Sequence, residues 1–146
     1  MEQIAVGMEL QRENHCVRRS VWHIEWCTKY RYKMMQKWGN RNLVAACIRQ
    51  AATRYGIEIL ALEVMPEHMH GIFILPKGID DERAAHLLKG YSAWKIFRVK
   101  ENFRLRYPRG HFWSRGYMAR TVGVDEEKAI RYVENQQEHH GVVFKM

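Results

Sequence analysis

Cysteine and proline are scarce in this sequence, with three of each in 146 residues. Cys16, Cys27 and Cys47 are odd in number and form no Cys-x-x-Cys pair. That argues against a disulfide framework and against a zinc ribbon, and leaves Cys27 and Cys47 as ordinary small core residues. No stretch of about 18 consecutive apolar residues occurs, so no membrane span is available. The segment from Met1 to Arg12 mixes acidic, basic and apolar residues and lacks the apolar run of a signal peptide, so the expected location is cytoplasmic. Internal repeats and low-complexity tracts are also missing, and the prolines mark element boundaries rather than a linker.

Acids are missing where bases crowd. Residues 17–41 carry seven Lys/Arg against the single acid Glu25, and residues 89–120 carry nine against the single acid Glu101. The formal charge of +8 is therefore segregated. A positive surface of this kind attracts polyanions by releasing their counterions. No basic amphipathic helix with a bulky apolar face accompanies it, so nucleic acid is the expected partner and membrane is not. A hydrophobic content of 47% points to a folded globule. The length fits one domain over residues 1–146, with 1–14 as an N-terminal extension.

Periodicity supplies the elements. Alternation predicts a first strand over residues 17–27, with Val21, His23 and Glu25 on one face and Trp22, Ile24 and Trp26 on the other. The basic, aromatic run Lys29-Tyr30-Arg31-Tyr32-Lys33 follows as a loop. Val44, Cys47, Ile48, Ala51 and Tyr55 lie at helical spacing, and Gly56 closes that helix, 41–55. Strands over 57–65 and 68–75 are separated by so little chain that they form an antiparallel hairpin. Asp80 and Asp81 open a second helix carrying Leu87, Leu88, Tyr91 and Trp94. Residues 102–115 read as loop, 117–122 as a fourth strand, and 125–140 as a last helix that starts with Asp125, Glu126 and Glu127. The order β-α-β-β-α-β plus a C-terminal helix predicts an α+β fold with an antiparallel sheet, the ferredoxin-like split βαβ. That fold hosts many functions and does not choose among them.

Two constellations could carry chemistry. His68 and His70 are two apart on a strand, so both imidazoles point to one face and can reach one ion. Tyr132 and Gln136 are four apart on the last helix and nearly superpose, to one side of the apolar stripe of Ala129, Ile130 and Val133. These sites complement each other. A phenol has a pKa near 10 and is a poor nucleophile at neutral pH without help. Two imidazoles and an amide oxygen suit Mg²⁺ or Mn²⁺, and no thiolate is near. His23 reads as a satisfied, partly buried imidazole rather than a ligand, and His139 and His140 as surface residues.

The run Glu63-Val64-Met65-Pro66-Glu67-His68-Met69-His70 resembles the HUH motif (His, bulky hydrophobe, His) of the single-tyrosine transposases of the smallest prokaryotic insertion sequences, the IS200-like family. Four further stretches agree in order: Trp26 to Arg31, Leu88 to Ser92, Phe112 to Tyr117, and Tyr132 to Gln136. The resemblance implies that His68, His70 and Gln136 bind a divalent metal, Mg²⁺ or Mn²⁺. It implies that Tyr132 is the nucleophile that becomes linked to a DNA 5′ phosphate. It further implies action on single-stranded DNA with hairpins at transposon ends, and a homodimer in which Tyr132 of one subunit serves the histidines of the other. Glu67 stands where Asp is frequent in that family, and Gly71 where a bulky residue is usual. Lys29, Tyr30, Arg31 and Lys33, with Lys89 and Arg115, are the expected DNA-binding residues. Two rivals remain: a domesticated relative acting on repeat hairpins, and a non-catalytic nucleic-acid-binding module on the same fold.

Overall fold

The computed structural model describes residues 20–123 and 127–135. Of the expectations above, the N-terminal extension, the start of the first strand, Asp125, Glu126, Gln136, His139 and His140 lie outside them. The described elements run in order: β1 (Ser20–Cys27), α1 (Trp38–Arg54), β2 (Glu58–Val64), β3 (His68–Leu75), α2 (Asp81–Val99) and β4 (Met118–Thr121). Residues 127–135 are helical and are called α3. The four strands form one antiparallel sheet in the order β2-β3-β1-β4. This is the interleaved pair of βαβ units that the sequence predicts.

Local chemistry sets the boundaries. Gly56 adopts a left-handed φ of 69° after α1. Ile57 N–H then donates to the Ala52 carbonyl at 2.9 Å, and Gly56 N–H to that of Thr53 at 3.4 Å. This is the paired closure that glycine permits after a helix. Asp80 caps α2, its Oδ1 accepting from Arg83 N–H at 2.8 Å. The start of α1 lies at Trp38, three residues before the expected 41, and no side chain caps it at Lys37. No Ser, Thr, Asp or Asn marks that start.

The stretch expected to be plain loop, 102–115, is part of the core. It opens with a short 3₁₀ turn at Glu101–Leu105 and buries Phe103, Tyr107, Phe112 and Trp113. Phe112 meets Trp113 edge-on at 4.7 Å between ring centres and stacks over Phe103 at 6.0 Å. The buried indole Nε1 of Trp113 donates to Ser92 Oγ on α2 at 2.9 Å.

Strand alternation divides the sheet into two faces. Ile24 and Trp26 of β1 and Met69, Phe73 and Leu75 of β3 join α1 and α2 in the main core. Val21 and Ile72 point the other way, where with Ala61 they pack against Ile130 and Val133 of α3. His68 and His70 sit four and two positions before Ile72, so they share the α3 face.

Candidate active site

The turn between β2 and β3 is tight. Met65 N–H donates to the His68 carbonyl at 2.7 Å, which brings His68 to the very start of β3. Buried Thr28 fastens this turn to the end of β1. Its N–H donates to the Glu67 carbonyl at 2.9 Å, and its hydroxyl donates to the Tyr32 carbonyl at 2.6 Å. Glu67 in turn holds the neighbouring imidazole, with Oε1 2.6 Å from His68 Nδ1. That hydrogen bond keeps the Glu67 carboxyl below its ordinary range, against the opposing effect of burial. With the carboxylate accepting, Nδ1 is the donor nitrogen, which leaves Nε2 as the one that could ligate an ion. His70 is fully buried, its ring centre 5.9 Å from that of His68.

Gly71, the departure noted from the sequence, has a packing reason. A Cβ there would stand 2.7 Å from the Ala61 carbonyl oxygen and 2.9 Å from the Phe73 ring. The irregular pairing of β2 at Ile59 and Ala61 presses backbone onto this position. Only glycine fits directly after His70 without displacing β2.

β1 brings more to this site than the sequence reading expected. Glu25 pairs in register with His70, and His23 lies two positions further along the same face. The His23 and His70 ring centres are 5.6 Å apart. One ligand atom each from His23, Glu25 and His70 lie within 4.8 Å of one another. His23 was expected to be satisfied, but its buried Nε2 has no hydrogen-bond partner among the described residues. Burial, and then the Arg120 guanidinium, hold His23 below its ordinary pKa, so the neutral, lone-pair form is favoured. A signal was available in the alternation Val21-x-His23-x-Glu25, but the register that sets it against His70 was not.

Tyr132 comes to the same region from α3. Ile130 and Val133 are buried against the sheet, while Tyr132, to the side of them, is 58% exposed. It lines a cavity of about 290 Å³ together with His23, Glu25, Met118, Ala119 and Arg120 of the same chain. A phenol, an imidazole and a carboxylate therefore converge on one solvent-reachable space next to His70. The donor set fits a divalent cation: neutral nitrogens, one hard anionic oxygen and no thiolate. Glu63 flanks it from β2, opposite His70 in register. Burial and then Glu134 of α3 push the Glu63 carboxyl up to about 7, opposed by Arg41 and Arg49.

The expected DNA-binding residues fall into two groups. Lys29 to Arg31 form a short 3₁₀ turn, in which Tyr30 and Arg31 take left-handed φ values of 61° and 54°. Tyr30 is exposed and lies 5.3 Å from the Tyr32 ring, which stacks on Tyr107 at 5.4 Å with Arg106 over it at 4.2 Å. Tyr107 also donates its hydroxyl to the Lys29 carbonyl at 2.7 Å, which fixes this aromatic platform; the sequence reading missed its part. Lys33 is exposed beyond the turn. Lys89 and Arg115 meet elsewhere, at a cleft of about 860 Å³ that Trp94, Arg104 and His111 also line. There Lys89 Nζ donates to the carbonyls of Arg115 and Gly116 at 3.0 and 3.1 Å. Lys89 thus ties the approach to β4 onto α2, a structural duty that a reading for phosphate contact alone does not capture.

Comparison with known proteins places this arrangement. The family described as "Transposase IS200 like" matches residues 16–136. The ISDra2 transposase TnpA of Deinococcus radiodurans is 25% identical over 139 residues, covering 94% of this chain and 99% of that protein. The transposase for insertion sequence element IS200 of Salmonella typhimurium is 26% identical over 127 residues, covering 82% and 84%. Among solved structures, a protein of D. radiodurans described as a candidate transposase superposes with a TM-score of 0.67 at 29% identity, over 82% of this chain and 92% of that one. A REP-associated tyrosine transposase bound to a REP hairpin shares the fold, with a TM-score of 0.58 at 19% identity over 84% and 68%. Among the described residues no helix is long and apolar enough to cross a membrane. Match and architecture agree: the chain belongs to the IS200-like transposase family.

Proposed function

We propose that the protein cuts and rejoins single-stranded DNA at hairpin-bearing transposon ends, with Tyr132 as nucleophile and a divalent metal held by His68, His70 and Gln136. The observation that carries this reading is the cavity beside His70, which Tyr132 lines together with His23 and Glu25. Mg²⁺ or Mn²⁺ there would neutralise the scissile phosphate and orient it for in-line attack.

The chain's own residues do the rest. His68, oriented by Glu67, and His70 offer nitrogens from one strand face. Tyr132 Oη attacks phosphorus and loses its proton to water. The bond from phosphorus to the 3′ oxygen breaks, that oxygen takes up a proton, and the 5′ phosphate stays on the tyrosine. Reversal by another 3′-hydroxyl restores the phenol and joins the new end, so the bond energy is conserved and no ATP is needed. The basic turn Lys29 to Lys33 would grip backbone phosphates, with Tyr30 as a stacking surface. Two copies acting together, Tyr132 of one subunit serving the histidines of the other, complete the proposal.

The test is formation of a covalent protein–DNA adduct with Mg²⁺ and single-stranded DNA carrying the hairpin end. Tyr132→Phe is expected to abolish the adduct and to keep DNA binding. An undiminished adduct in that variant refutes the assignment, and its absence in the wild type favours a binding module without chemistry.

A further inference from the structure

We propose that His23 and Glu25 of β1 are ligands of the divalent cation held at His70, an inference that rests on the metal-dependent reading above. His68 and His70 both lie on one strand, β3. Here the neighbouring strand contributes from directly across the ladder, since Glu25 is the register partner of His70.

Three atoms that all lie within 4.8 Å of one another are no farther than about 2.8 Å from a common centre. Bonds to Mg²⁺ or a similar ion are about 2.0–2.3 Å long, so small side-chain rotations close the set. His23 Nε2 is buried and makes no hydrogen bond among the described residues. A cation supplies the partner that burial otherwise denies it. Glu25 adds what the histidines and an amide cannot: an anionic oxygen. In a chain of net charge +8, with Arg120 lining the same cavity, that carboxylate offsets local positive charge and favours a hard, oxygen-seeking ion. The cavity shared with Tyr132 gives the ion a route in and sets the ligands beside the attacking phenol.

The experiment is titration of the full, DNA-free chain with Mn²⁺, read by loss of the free-ion electron paramagnetic resonance signal. Glu25→Gln and His23→Gln are each expected to weaken Mn²⁺ affinity at least tenfold. His23→Gln is also expected to reduce the imidazole-nitrogen modulation of the bound Mn²⁺. Should Glu25→Gln fail to fold, Glu25→Asp, which withdraws the oxygen by one methylene, is read in the same way. Wild-type affinity in the Glu25 and His23 variants, with loss only in His68→Ala, overturns this inference and leaves the proposed reaction standing. Weakened Mn²⁺ binding in Glu25→Gln, alongside an undiminished adduct in Tyr132→Phe, does the reverse. A wild-type chain that takes up no Mn²⁺ overturns the inference together with the metal part of the proposed reaction.

Discussion

Glu67 Oε1 accepts from Nδ1 of the residue that follows it, His68, across 2.6 Å. The carboxylate therefore orients a ring that ends a tight turn at the strand's first position. Outer groups of this kind typically change metal affinity by about 10–100-fold when removed. Glu67→Ala is expected to weaken Mn²⁺ binding within that range while its adduct yield recovers at high Mn²⁺. An affinity equal to wild type would show that the pair serves only the turn.

Gly71→Ala tests how closely β2 presses on β3, the strand that carries His68 and His70. The added methyl meets a backbone carbonyl at 2.7 Å, and the strand must give way. Overpacking of this kind costs about 1–3 kcal/mol. Urea unfolding should show that loss, with Mn²⁺ affinity reduced because His70 precedes the disturbed residue.

Lys89 and Arg31 should separate structure from recognition. Lys89→Met removes two hydrogen bonds to the carbonyls of Arg115 and Gly116 and should cost about 1 kcal/mol of stability. Arg31→Ala should leave stability unchanged. It should instead lower the slope of log affinity against log salt for a labelled single strand by about 0.7, one phosphate contact. A variant pair with the two effects exchanged would reverse these roles.

Glu63 gives stability a pH dependence of defined sign in metal-free protein. Its folded pKa of about 7 exceeds the ordinary 4.5. Between those values the native state holds a proton that the unfolded chain has released, so stability falls as pH rises from about 4.5 to about 7. Glu63→Gln should flatten this part of the profile and raise the melting temperature at pH 8. Melting measured in EDTA across pH 4–8 decides it; parallel profiles for the two proteins contradict the assignment.

The strand histidines and the helix-borne tyrosine were legible because alternation and helical spacing are local. So were the strand order and Gly56, whose left-handed conformation a glycine after an apolar helix announces. The placement of His23 and Glu25 beside His70 was not, because it depends on the register between β1 and β3, which is set by packing of residues far apart in the chain. Phe103, Tyr107, Phe112 and Trp113 were hidden for a related reason. A basic, irregular stretch has no period, yet its aromatics fill the main core. Lys89 looked like a phosphate ligand since nothing in the sequence reveals the two carbonyls opposite it.

Among the described residues, α3 is moored to the sheet by two buried side chains, Ile130 and Val133, set among Val21, Ala61 and Ile72. Burial of such side chains contributes about 1.5–3 kcal/mol apiece, a small share of what holds the domain. On the proposed reading, the helix that carries Tyr132 can consequently lift off while the main core stays intact. Because an identical sheet on a second copy offers the same berth, swapping carriers between copies conserves every one of these contacts. In the proposed reaction, whether a strand is attacked from its own chain or from a neighbour then turns on tether and concentration, not on the chemistry of the cleft.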